Sequence, residues 1–84
     1  MRVKKDFLVV SFPTTAAAMA CESLCAEKGL PGRTIPVPSQ ISAGCGLAWR
    51  ILPEEGDRIR DALDEAGVPV SGMDVVPLWV LVKE

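Results

Sequence analysis

Three cysteines, Cys21, Cys25 and Cys45, are the nucleophiles of this sequence, and it contains neither histidine nor tyrosine. That absence removes Cys–His dyads, Ser–His–Asp triads, histidine-containing zinc sites and phenolic acid–base chemistry. Any chemistry must use thiols, carboxylates, hydroxyls or the backbone. Cys45 stands in a turn, Ala43-Gly44-Cys45-Gly46, outside any helical or strand pattern. Flanking Gly44 and Gly46 free the backbone and leave the sulfur unshielded by neighbouring side chains. Sulfur transfer requires such a thiol, reachable by a partner's persulfide and lowered in pKa by backbone N–H groups or a cation. Arg50 and Arg33 are the candidate cations. The competing reading makes Cys45 a small residue filling a tight hairpin.

Cys21 and Cys25 are four apart and predicted to face inward from one helix, where free cysteine behaves as a small hydrophobe. Their spacing could hold a soft metal with Cys45 as third ligand, but no further ligand pattern supports it, so no metal or organic cofactor is expected. Phe12-Pro13-Thr14-Thr15 sets a strand end before a helix start, where free N–H groups can receive an anion. Without a glycine-rich phosphate motif, Thr14 and Thr15 read more readily as ordinary capping residues than as an anion site. Glu22 reads as a solvated carboxylate, and Trp49 and Trp79 as core or interface aromatics.

The elements that must position these residues come from a chain of 84 residues, 49% hydrophobic and 24% charged. That describes a single globular domain. Nine Lys+Arg against eleven Asp+Glu leave a formal charge of -2, with no basic footprint for nucleic acid. An odd set of cysteines without a CxxC pattern suits a reducing cytoplasm. Arg2, Lys4 and Lys5 before an apolar run, with Ala18-Met19-Ala20 ahead, imitate a signal peptide. Asp6 and Pro13 leave that run too short, and no stretch approaches the roughly 20 apolar residues of a membrane span.

Residues 6–12 read as a buried strand ended by Pro13. A helix capped by Thr14 or Thr15 follows to about Lys28, stopped by Gly29 and Pro31. Residues 33–37 form a short strand, placed at a sheet edge by Pro36. Residues 46–52 form a third strand, alternating Leu47, Trp49 and Ile51 with Ala48 and Arg50. Pro53, Glu54 and Glu55 open a second helix with Ile59, Ala62, Leu63 and Ala66 on one face, closed by Gly67 and Pro69. Residues 75–82 form a fourth strand, apolar on both faces, with Pro77 again marking an edge.

Glu27-Lys28-Gly29-Leu30-Pro31 matches Glu65-Ala66-Gly67-Val68-Pro69 at an offset of 38 residues, which also superposes Cys21 and Cys25 on Ile59 and Leu63. A duplicated β-α-β unit closes economically as an α+β ferredoxin-like plait, βαββαβ, with a four-stranded antiparallel sheet and both helices on one face. The far face then has no cover within the chain, and a homodimer through that open face is expected.

The strand ending in Phe12-Pro13-Thr14-Thr15, the helix residues Ala18-Met19-Ala20-Cys21-Glu22, Pro36-Val37-Pro38 and Ser42-Ala43-Gly44-Cys45-Gly46-Leu47-Ala48 together resemble the selenium/sulfur carrier-like family. Its members are short bacterial and archaeal chains, and the resemblance covers Phe7 to about Gly67. Thr15, Glu22, Pro36, Pro38, Cys45 and Gly46 fall on the family's characteristic positions. The resemblance implies a non-enzymatic carrier that holds a chalcogen on Cys45, steadied by Arg50, with the loop from Pro38 to Gly44 docking sulfur- or selenium-donor and acceptor proteins. The alternative is a small-molecule-sensing or interaction module in which Thr14, Thr15 and backbone N–H groups bind the ligand and the thiol is incidental.

Overall fold

The computed structural model describes residues 1–41 and 46–81. Ser42, Ala43, Gly44 and Cys45, and the last three residues, lie outside the described residues. The elements run β1 (Arg2–Ser11), α1 (Thr15–Lys28), β2 (Arg33–Pro36), β3 (Leu47–Ile51), a 3-10 turn (Pro53–Glu55), α2 (Gly56–Ala66) and β4 (Gly72–Leu81). The four strands form one antiparallel sheet in the order β2-β3-β1-β4. Each helix therefore links two strands separated by a third. Pro36 and Pro77 both stand on edge strands, where a missing N–H breaks no interior ladder.

Leu8, Val10 and Phe12 from β1 and Trp49 and Ile51 from β3 meet Ala17, Ala18, Cys21 and Cys25 of α1 and Ile59 and Leu63 of α2 in one core. Both helices thus cover the same sheet face. The 38-residue repeat extends to the helix ends. Gly29 and Gly67 take left-handed φ values of 66° and 71°, and the N–H groups of Leu30 and Val68 donate to the carbonyls of Cys25 and Leu63, both at 2.9 Å. A carbonyl that would otherwise be orphaned is satisfied the same way in both halves.

Three boundaries differ from expectation. β1 begins at Arg2 rather than Asp6, because residues 2–6 pair only with residues 77–81 of β4, so mostly exposed polar side chains are tolerated. β4 correspondingly starts at Gly72. The second helix starts at Gly56 after a single 3-10 turn over Pro53–Glu55, where no side chain caps the first turn.

The expectation that the far face lacks cover from its own chain is corrected. Val37 and Ile41, in the segment after β2, pack on Val9, Ala48 and Val76 together with Ile35 and Leu78. Part of the far face is a second small core closed by that segment.

Candidate functional site

The loop after β2 is drawn together at its base. The Val37 N–H donates to the Gly46 carbonyl at 3.0 Å, and the Ile41 N–H donates to the Pro38 carbonyl at 3.0 Å. Pro38 is half-buried and Gly46 exposed. Gly44 and Cys45, the expected carrier turn, lie outside the described residues, and Gly46 marks where the chain re-enters β3. Ala48 pairs with Ser11, so Gly46, two residues before it, and Thr14, three after Ser11, share one end of the sheet.

At that start Thr14 is extended (φ -141°, ψ 158°), and its Oγ1 accepts the Ala17 N–H at 3.1 Å. This is N-cap geometry, using the hydroxyl that the sensing alternative assigned to a ligand. Thr15 opens the helix proper. Glu22 is not merely solvated: its carboxylate accepts the Thr34 hydroxyl at 2.9 Å, tying α1 to the edge strand β2.

Cys21 and Cys25 are fully buried. Burial first, then the neighbouring Cys25, push the Cys21 thiol up to about 12, and burial raises Cys25 as well. Both thiols therefore stay protonated at neutral pH and are shielded from any exchange partner. Among the described residues no group of three or more His, Cys, Asp or Glu could hold a metal ion, and no helix is long and apolar enough to cross a membrane.

Arg50 stands apart from the loop base. It lies four residues along β3 from Gly46, roughly 13 Å of strand, and its guanidinium sits 4.5 Å from the centre of the Phe7 ring, further still from the loop. Arg33 is its cross-strand partner on β2. Burial, then the charge of Arg33, lower the Arg50 pKa from its ordinary value. The expected site residues thus fall into two groups, Thr14, Thr15 and Gly46 near the α1 start, and Arg50 with Arg33 toward the other end, with Pro38 and Arg50 lining a common groove.

Sequence reasoning missed a third feature. Trp79 is 54% exposed, with the Arg2 guanidinium 4.6 Å and the Lys4 ammonium 5.2 Å from its ring centre. Basic residues do accompany this tryptophan, although in the sequence they lie over seventy positions away. A groove of about 490 Å³ is lined by residues that include Ile35, Val37, Pro38, Arg50 and Leu78. The only sequence signal was the alternation of Arg2 and Lys4 with Val3, which marks a strand with a cationic face.

Fold and site define a small α+β domain in which one sheet carries two helices on one face and, on the other, a segment after β2 that packs through Val37 and Ile41. Residues 7–73 match the family described as "Putative Se/S carrier protein-like", and the chain belongs to that family. No curated protein and no solved structure matches it.

Proposed function

We propose that the protein is a sulfur or selenium carrier whose working group is the Cys45 thiolate. Cys45 attacks the terminal sulfur of a donor's persulfide; the donor S–S bond breaks, its thiolate leaves with the electron pair, and a new S–S bond forms at Cys45. An acceptor thiolate then takes the terminal sulfur in the same manner and returns Cys45 as a thiolate. Sulfur changes hands without an external oxidant or reductant, and selenium would follow the same path.

The carrying observation is the burial of Cys21 and Cys25 behind raised thiol pKa values, in a member of the selenium/sulfur carrier-like family. Exchange must fall on the one remaining thiol. The strand order and the shared helix face support a ferredoxin-like plait as its frame. Residues 38–44 would dock donor and acceptor in a reducing cytoplasm. A homodimer would have to use the part of the far face that Val37 and Ile41 leave uncovered.

The test loads the protein with a cysteine desulfurase and cysteine and reads intact mass. Wild type is expected to gain one sulfur, about 32 Da, on Cys45, and Cys45→Ser to gain none. Equal loading of the two, or none on wild type, overturns the reading.

A further inference from the structure

The first half of β1 and the second half of β4 form a two-stranded ribbon beyond the helix-covered core. Residues 2–6 pair with residues 77–81 in unbroken register with the rest of both strands, which keeps Arg2, Lys4 and Asp6 in phase with Leu8 and Val10. These side chains therefore point to the helix side of the sheet, as do their cross-strand partners Leu81, Trp79 and Pro77. All six are exposed. Trp79 and Leu81 are large apolar side chains in that position, and the cations of Arg2 and Lys4 stand over the Trp79 ring. The ribbon is a ledge with one apolar row and one mostly cationic row.

The complement of that ledge lies on α2. Ile59, Ala62 and Leu63 are buried, which turns Asp57, Asp61 and Asp64, at i, i+4 and i+7, to the opposite side with Glu65 beside them. Like charges at i, i+4 are unfavourable along a helix, so this ridge gains from an outside cation. Among the described residues the ion pairs are Arg58–Glu55 and Arg60–Asp57; Arg2, Lys4, Asp61, Asp64 and Glu65 enter neither. Within one chain the two surfaces cannot meet. Gly56 at the start of α2 lies against Leu8, and the helix ends ahead of Gly72, the partner of Ser11, so α2 runs away from the ribbon. From Asp57 to Asp64 is about 10 Å of helix and residues 2–6 span about 13 Å of strand, so one lies along the other.

We propose that two copies of the chain meet reciprocally, the α2 ridge of each laid along the ribbon of the other, with Asp61 and Asp64 against Arg2 and Lys4 and the Trp79 ring covered by the helix. A single twofold axis makes both contacts, so association stops at two. This surface is on the helix side of the sheet and gives two copies a route to each other besides the far face. It involves no thiol and stands whether or not Cys45 carries sulfur.

Sedimentation equilibrium in the presence of a reductant tests the contact. Wild type is expected to dimerise with a Kd of roughly 100 μM or below at about 20 mM salt, and about tenfold more weakly at about 500 mM. Arg2→Glu/Lys4→Glu sets an acidic ribbon against an acidic ridge, and Asp61→Lys/Asp64→Lys sets a cationic ridge against a cationic ribbon. Each double variant alone is expected to stay monomeric. An equimolar mixture of the two should dimerise again, because both contacts then join opposite charges. Trp79→Ala should weaken the wild-type dimer about tenfold, whereas Arg33→Glu, on the far face, and Cys45→Ser should leave it unchanged. Every described side chain replaced is exposed, and urea melts check that each variant folds. Wild type that stays monomeric at about 1 mM, a double variant that dimerises as tightly alone as wild type, a mixture that stays monomeric, or dissociation by Arg33→Glu overturns the proposal.

Discussion

Gly32 shows how one residue without a side chain can fix a core tryptophan. Its φ of 122° lies where side-chained residues rarely go, and a Cβ there would collide with the Trp49 indole and stand 2.7 Å from Ile51 Cγ2. The bend lets the Pro31 carbonyl accept the Trp49 Nε1–H at 3.2 Å, so an otherwise buried donor is satisfied. Gly29 is also left-handed but has open space around it. Gly29→Ala is therefore expected to cost about 1 kcal/mol, from backbone strain alone. Gly32→Ala adds overpacking and is expected to cost roughly 2–4 kcal/mol. Urea melts of the two variants check the ranking; equal losses would mean that the Trp49 contact yields freely. In the sequence, Gly29 and Gly32 look alike, because only the folded register brings Trp49 to one of them.

At the scale of elements, what could be read in the sequence was what local chemistry decides. Thr14, Gly29 and Gly67 marked helix ends because capping involves residues only a few positions apart, and the structure places each as expected. Inward-facing Cys21 and Cys25 followed from the repeat with Ile59 and Leu63. What stayed hidden depends on pairing between distant segments. The early start of β1 relies on β4, the cover of the far face on Val37 and Ile41 crossing it, and the Arg33–Arg50 juxtaposition on the β2–β3 register. Cys45 and Gly44 fall outside the described residues, so the centre of the expected site rests on the sequence and the family. The cap carries its own prediction. Thr14→Ala removes the acceptor for the Ala17 N–H and is expected to lower stability by about 1 kcal/mol, whereas Thr14→Ser keeps the hydroxyl and most of that stability. Thermal melts of the pair decide it, and matching losses would assign the effect to the lost methyl group rather than the cap.

Across the whole molecule, the two buried thiols couple proton uptake to folding, because both lie in the core that joins the sheet to the two helices. In the unfolded chain a thiol ionises near its ordinary value of 9.0, while folded Cys21 holds its proton to about 12. Between those limits the unfolded state binds fewer protons than the native state. The stability that neutral Cys21 contributes is therefore fully present below about pH 9 and is lost as pH rises toward 12. Within that window one thiol makes stability fall by about 1.4 kcal/mol per pH unit, and Cys25 adds to the loss with the same sign. For a domain of this size, with roughly 4–12 kcal/mol in hand, a loss of about 4 kcal/mol across that window is a large share of the total. The informative quantity is the difference between two proteins. Cys21→Ala should be less stable than wild type at neutral pH, because it leaves a small cavity, yet lose stability less steeply above pH 9. Urea denaturation at a series of alkaline pH values yields both slopes; parallel curves for wild type and Cys21→Ala would show that the Cys21 proton does not report on folding.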